Sequence, residues 1–185
     1  SLAYQTEMSI PQKPCEKVLY KTCRNFYNST GMPSVVGYLS QSTGLQHIYL
    51  LKYLVENLDC YQHLLYFACL ALFPKCLGEL VLVPCYEMCI EAYIGCQKEI
   101  NEFNLEFGCN RFFGSHKGSS ECVYKAVDCG DPGIPKFGQI SHTRTDLGSS
   151  VVYSCRNGLT LKGHPVRNCT LSGKWTGEIP KCRST

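Results

Sequence analysis

The sequence predicts two disulfide-rich domains in tandem, the first mainly α-helical and the second a small all-β module. Three observations carry this expectation. Fourteen cysteines stand in 185 residues, an even number at a density that belongs to an oxidising compartment. Three of them, Cys85, Cys89 and Cys96, follow Pro84 at helical spacing. From Cys129 onward helical periodicity gives way to short apolar runs separated by Gly, Pro, Asn and Ser, which is the pattern of strands and turns.

The three-cysteine segment organises the first half. Proline suits the first turn of a helix, so a helix is expected to start near Pro84. At about 100° per residue Cys85 and Cys89 lie roughly 40° apart and Cys85 and Cys96 roughly 20° apart. Three thiols on one face can tie the helix to three other segments. A zinc site would need close cysteine pairs, and a thioredoxin-like site needs Cys-x-x-Cys. That spacing occurs nowhere in the chain, so neither a metal nor a cofactor is expected. With every cysteine paired, each bridge contributes ~2–4 kcal/mol to a modest core.

Ser1 to Pro14 is polar without periodicity and reads as a flexible lead-in. Its first residues lack a basic region followed by an apolar run, so a signal peptide is expected to be already absent. Val18-Leu19-Tyr20, between Cys15 and Cys23, reads as a short strand. Asn28-Ser29-Thr30 is a sequon, which makes Asn28 a candidate for a glycan on an exposed loop or, alternatively, part of a plain turn. Leu45, Ile48, Leu51, Leu54, Val55 and Leu58 recur at intervals of three and four, predicting an amphipathic helix. His63 to Phe73 is apolar almost all round, as in a buried helix that Pro74 ends. Leu77 to Val83 reads as an extended link into the three-cysteine helix, and Gly114 to Ser120 as a flexible loop.

In the second half Val151 to Cys155 reads as a strand and Asn157-Gly158 as a turn. The domain boundaries expected from this change of character are 1–124 and 127–185. The longest apolar-rich stretch, Leu64 to Phe73, falls far short of the ~20 residues of a membrane span. A membrane anchor, if there is one, is expected outside these residues. The formal charge of +3 without a Lys/Arg block leaves no footprint for nucleic acid. There is no His-Glu-x-x-His and no Gly-x-Ser-x-Gly, and the five histidines are scattered, so no enzyme is expected.

The first half resembles a frizzled-type cysteine-rich domain from Cys15 to Cys122. The resemblance rests on Cys15, Cys23, Cys60, Cys69, Cys76, Cys85, Cys89, Cys96, Cys109 and Cys122 in order, with Tyr27-Asn28-Ser29-Thr30 before Met32-Pro33. The family pairing would give Cys15–Cys76, Cys23–Cys69, Cys60–Cys96, Cys85–Cys122 and Cys89–Cys109. From Cys129 to Cys182 the chain resembles a sushi, or complement-control, module. Here the carriers are Cys129-Gly130-Asp131-Pro132, Tyr153-Ser154-Cys155, Asn168-Cys169 and Gly173-Lys174-Trp175. That family's pairing would give Cys129–Cys169 and Cys155–Cys182. Asn168-Cys169-Thr170 is formally a second sequon, with Asn168 as its acceptor.

The frizzled-type resemblance implies burial of an acyl chain, from a Wnt-like lipid-modified protein or a fatty acid, in a groove between helices. Burying about ten methylenes at ~0.8 kcal/mol each gives on the order of 8 kcal/mol, which offsets much of the ~4–15 kcal/mol cost of association. The positions implied are Leu51, Lys52, Tyr53, Leu54 and Leu58. The same leucines would equally form the core face of an amphipathic helix. At Lys52 and Leu54 frizzled domains usually carry phenylalanine and proline, so an ammonium is expected at the lip of the groove. The mosaic of two domain types implies an extracellular protein, secreted or the ectodomain of a membrane protein. The alternative is an accessory targeting or adhesion module of a mosaic extracellular protease or peptidase. Such a module would bind other proteins or glycosaminoglycan through Lys136, Arg144, Arg156, Lys162, Arg167 and Lys174.

Overall fold

The computed structural model describes residues 15–104 and 108–184, with the side chains of Leu50, Leu51, Tyr53, Leu54 and Val55 excepted. The lead-in before Cys15 lies outside the described residues, as do Leu105 and Phe107. The chain divides into two compact units, Ser1–Leu58 with His63–Tyr124, and Asp59–Gln62 with Lys125–Thr185.

Among the described residues of the first unit, four α-helices accompany five short strands in the order β1-β2-β3-β4-β5. The strands are β1 Glu16–Lys17, β2 Ser29–Thr30, β3 Lys75–Leu77, β4 Leu80–Pro84 and β5 Cys122–Val123, and the helices are α1 Gln41–Asn57, α2 Leu64–Leu72, α3 Tyr86–Gly95 and α4 Gln97–Glu102. The first four strands pair antiparallel, and β4 runs parallel to β5 with Val83 opposite Cys122.

Helix α1 starts before the expected Leu45, and its first turn is tied to β1 by one side chain. Buried Gln41 donates from Nε2 to Glu16 Oε2 at 3.0 Å and to Lys17 O at 2.9 Å, and its Oε1 accepts Leu19 N–H at 2.8 Å. A buried amide with three partners costs little. One turn on, Gly44 lets α1 close on the end of α2, because a Cβ there would lie 2.9 Å from the Phe73 ring. Helix α2 is buried on most sides, as its composition requires, and Phe73 after it is fully enclosed. Val18, Tyr20, Tyr27, Ile48, Leu70 and Phe73 form the centre of this core.

Four local readings need correction. Val18 and Tyr20 are buried and Leu19 is exposed, the alternation of a strand, yet the ladder ends at Lys17. The reason is that Leu19 N–H is taken by the Gln41 side chain instead of a strand partner. The link expected from Leu77 to Val83 is a β-hairpin, with Leu77 opposite Leu80 and Gly78 at φ 63° in the turn. Positive φ costs glycine nothing, and Leu-Gly-Glu-Leu was the available signal.

The third correction concerns the three-cysteine helix. Pro84 completes β4, Cys85 is still extended at φ −66° and ψ 153°, and α3 begins only at Tyr86. Cys85 N–H donates to Val123 O at 3.0 Å, so the parallel pairing with β5 holds the chain straight up to this residue. Cys89 lies inside α3 and Cys96 just past its end. The segment Gly114 to Ser120 is also pinned rather than loose. Ser115 is buried and its carbonyl accepts Tyr86 N–H at 2.7 Å, while Lys117 N–H donates to Glu87 Oε2 at 2.9 Å.

The second unit contains an antiparallel sheet of β6 Gly138–Ile140, β7 Ser150–Cys155 and β9 Val166–Asn168, with β7 central. A separate two-stranded ladder joins β8 Thr160–Lys162 to β10 Lys181–Arg183. Along β7, Val151 and Tyr153 point inward and Val152 and Ser154 outward, the period of two that a half-buried strand demands. Trp175 packs into the core and donates from Nε1 to Gly130 O at 2.9 Å.

The bridges Cys15–Cys76, Cys23–Cys69, Cys85–Cys122 and Cys89–Cys109 close the first unit. Cys129–Cys169 and Cys155–Cys182 close the second. Cys60 and Cys96 are disulfide-bonded as well.

Candidate functional site

The candidate acyl-binding positions all lie on α1 or directly after it. Leu51, Lys52, Tyr53 and Leu54 belong to the helix and Leu58 follows its last residue, half-buried. The side chains of Leu51, Tyr53 and Leu54 are outside the described set, so helical register alone places these positions. Positions 51 and 54 lie about 60° apart, with their middle about 90° round from Ile48, while Leu58 lies past the end of the helix and has no helical register. Ile48 is fully buried and marks the direction in which α1 meets the core. Positions 52 and 53 fall on the other side of Ile48, so register separates them from positions 51 and 54.

Lys52 has described partners of its own. Its ammonium lies 3.9 Å from Glu56 Oε2, one turn on, with the lysine side chain more than half exposed. Glu56 is in turn held by Tyr20, whose hydroxyl donates to Oε1 at 2.5 Å, and by Thr22 Oγ1 at 3.2 Å. Burial pushes the Tyr20 phenol up, and donation to the Glu56 carboxylate adds to the shift. Exposed Tyr49 packs edge-on against Tyr20 at 5.7 Å. One side of α1 is therefore polar and anchored, and the cation is drawn along the helix axis toward Glu56.

A second polar cluster gathers at the start of α3. Tyr86 stacks on exposed Phe113 at 5.0 Å, and His116 Nδ1 lies 3.1 Å from Glu87 Oε1. Partial burial raises the Glu87 carboxyl, but the Lys117 N–H and His116 outweigh it and leave the group below its ordinary value. Lys117 Nζ sits 4.7 Å over the Tyr124 ring. Burial and donation to Glu91 push that phenol up to about 12.

The cations proposed for an adhesive face of the second unit do not act as one set. Arg144 forks onto Asp146, with Nη2 to Oδ2 at 2.7 Å and Nε to Oδ1 at 3.1 Å. Arg167 is buried and donates only to backbone carbonyls and to Tyr153. Its position on β9 opposite Val151 put it on the inner face, a register that the sequence did not reveal. Lys136, Arg156 and Lys162 are exposed.

The sequon acceptors Asn28 and Asn168 are both exposed. Thr30 of the first sequon is fully buried in β2. Among the described residues no group of three or more His, Cys, Asp or Glu side chains is placed to hold a metal ion, and no helix is long and apolar enough to cross a membrane.

Comparison with known proteins places these units. The family model described as Fz domain matches residues 15–116, and the one described as Sushi repeat (SCR repeat) matches residues 129–182. Over 62 residues, 34% of this chain and 2% of the relative, the sequence is 37% identical to Sushi, von Willebrand factor type A, EGF and pentraxin domain-containing protein 1 of Rattus norvegicus. Identity to the Mus musculus protein of that name is 38% over 56 residues, 30% of this chain and 2% of the relative. Identity to E-selectin of Sus scrofa is 38% over 66 residues, 33% of this chain and 14% of the relative. The chain thus spans only a small part of the length of these relatives. Fz and sushi domains are extracellular modules, and their succession makes this an extracellular mosaic module. On the match across residues 15–116, this chain belongs to the Fz domain family, and it continues from that domain into a sushi repeat.

Proposed function

We propose that this chain is a non-catalytic, extracellular ligand-binding module whose Fz domain holds the acyl chain of a Wnt-like lipid-modified protein, or a free fatty acid, along α1. Leu51, Leu54 and Leu58 are the residues assigned to the acyl chain. The observation that carries the reading is the register of α1. Its core contact runs through Gln41, Gly44 and Ile48; by register position 51 borders that contact, about 20° round from Gly44, and position 54 lies farther out, about 80° from Gly44. Lys52, which would otherwise bring a charge to the groove, is occupied with Glu56 on the other side.

The test is titration of the full chain with a C14–C16 fatty acid below its micelle concentration, and with a purified Wnt. Saturable binding is expected. Leu54→Glu should weaken it by more than a hundredfold, because an unpaired carboxylate against an acyl chain costs several kcal/mol. Lys52→Ala should leave it unchanged. If Leu54→Glu does not fold, Leu58→Glu supplies the same readout from outside the helix. Absence of saturable binding by the wild type overturns the reading.

A further inference from the structure

The sushi unit carries a site that the acyl-binding reading does not use. Residues 125–185 hold nine of the chain's 18 Lys and Arg but only four of its 15 Asp and Glu, so the small formal charge of the whole chain hides a basic second unit. Three of those four acids are engaged. Asp128 and Asp131 accept the backbone N–H groups of Gly130 and Gly133, and Asp146 is taken by Arg144. Glu178 is the remaining one, and it does not line the cavity described next.

That cavity has a volume of about 350 Å³ and opens on the surface between the loop before β6 and strand β10. Its apolar lining is Pro135, Ile179 and Pro180, and Lys136, Lys181 and Arg183 line it as well. Tight packing fixes the apolar part. A Cβ on Gly133 would lie 2.5 Å from Ile179 Cδ1, and one on Gly163 would lie 3.2 Å from Pro180. The Cys155–Cys182 bridge fastens β10 to the end of β7 beside it.

The register of the β8–β10 ladder adds a fourth cation. Lys162 stands directly opposite Lys181, and residues directly opposite share a face of the ladder, where like charges destabilise the pair. Lys136, Lys162, Lys181 and Arg183 are all exposed, and none has an ion-pair partner among the described residues. Three such cations lining an apolar concavity, with Lys162 beside Lys181 on the same ladder face, suit a ligand that is anionic at its rim and apolar in the middle. A pyranose ring bearing sulfate groups has that form, its C–H face toward Pro135, Ile179 and Pro180 and its sulfates toward the ammonium and guanidinium groups.

From the cavity, the opposed lysines and the lack of an ion-pair partner for these cations among the described residues, we infer that the sushi unit binds a sulfated polysaccharide through Lys136, Lys162, Lys181 and Arg183. The experiment uses the full oxidised chain and a heparin hexasaccharide, with affinity measured across a series of NaCl concentrations. Lys136→Ala/Lys181→Ala/Arg183→Ala should raise Kd at least tenfold and flatten the dependence of log K on log salt by about two to three contacts. Arg144→Ala, which removes a cation already neutralised by Asp146, should change Kd less than twofold. Trp175 emission confirms that each variant's sushi unit is folded. Equal affinity of the triple variant and wild type overturns the assignment, as does equal binding of a desulfated hexasaccharide. A DNA oligonucleotide of matched charge that binds as tightly overturns it too, since the site would then read charge alone.

Discussion

Arg167 and Tyr153 converge on a single carbonyl. Arg167 Nη1 and Tyr153 Oη each donate to Pro132 O at 2.9 Å, and the two donors lie 3.3 Å apart. Arg167 spends its other donors on Thr176 O and Gly177 O, at 2.8 Å and 3.1 Å. A buried cation without a carboxylate is tolerable only when its planar fork is met by acceptors on every side. Here they come from two loops that no strand ladder joins.

Loss of that fork should be costly. Arg167→Met is expected to lower the stability of the sushi unit by about 3 kcal/mol, because bonds to a charged donor are lost and buried carbonyls are left unpaired. Tyr153→Phe should cost about 1 kcal/mol. Because both bond one oxygen, the double variant should depart from additivity by at least about 0.5 kcal/mol. Trp175 is the chain's only tryptophan, so urea unfolding followed by its emission isolates this unit. A loss below about 0.5 kcal/mol for Arg167→Met would show that water replaces the fork at no cost.

Asp146 predicts an acid-sensitive step in the same unit. Donation from Arg144 and from Ser149 holds its carboxyl down at about 2. The folded value lies below the ordinary unfolded value of about 3.9, so its contribution is complete above about pH 4 and is lost as pH falls toward 2. Asp146→Asn should remove this part of the pH dependence. NMR titration of the Asp146 carboxyl checks the first half, and unfolding at pH 5 and pH 2 checks the second. A midpoint near 4 would remove the basis for the prediction.

Gly44→Ala sets two effects against each other. Alanine gains about 1 kcal/mol over glycine in a helix interior, but its methyl would meet the Phe73 ring at 2.9 Å. Phe73 is fully buried and its carbonyl is held by Tyr27 Oη at 2.6 Å, so the ring has little room to yield. Overpacking at such a site costs ~1–3 kcal/mol. A net loss of about 1 kcal/mol in thermal or urea unfolding of the Fz unit is expected, whereas a net gain would mean that α1 slides away from α2.

Asn28 is expected to carry a glycan when the chain passes through a eukaryotic secretory pathway, seen as a mobility shift on enzymatic deglycosylation. Thr30 separates the sequon from the fold. It is fully buried and its Oγ1 has no hydrogen-bond partner among the described residues, so Thr30→Val breaks no bond and removes the glycan while leaving stability within about 1 kcal/mol. Retention of the same glycan shift in Thr30→Val would place the sugar elsewhere.

The sequence by itself was enough for whatever depends on composition and period. Oxidised, two-part architecture follows from the cysteine density, the apolar composition of Leu64 to Phe73 makes a buried helix, and the alternation of Val151 to Cys155 makes a half-buried strand. These are properties of neighbouring residues, and neighbours stay neighbours in the fold. Tertiary structure decided what depends on partners remote in the chain. Cys85 stays extended because β5, more than thirty residues away, pairs with the strand before it. Leu19 leaves its ladder because Gln41 reaches its N–H first. Arg167 looks like any surface cation in the sequence, and only Pro132, Tyr153, Thr176 and Gly177 closing around it make it a core residue. Lys162 and Lys181 likewise become one site only through the register of two strands that 18 intervening residues separate. A backbone donor or a charge is satisfied by whichever group arrives at bonding distance, and distance in space is what a linear sequence does not contain.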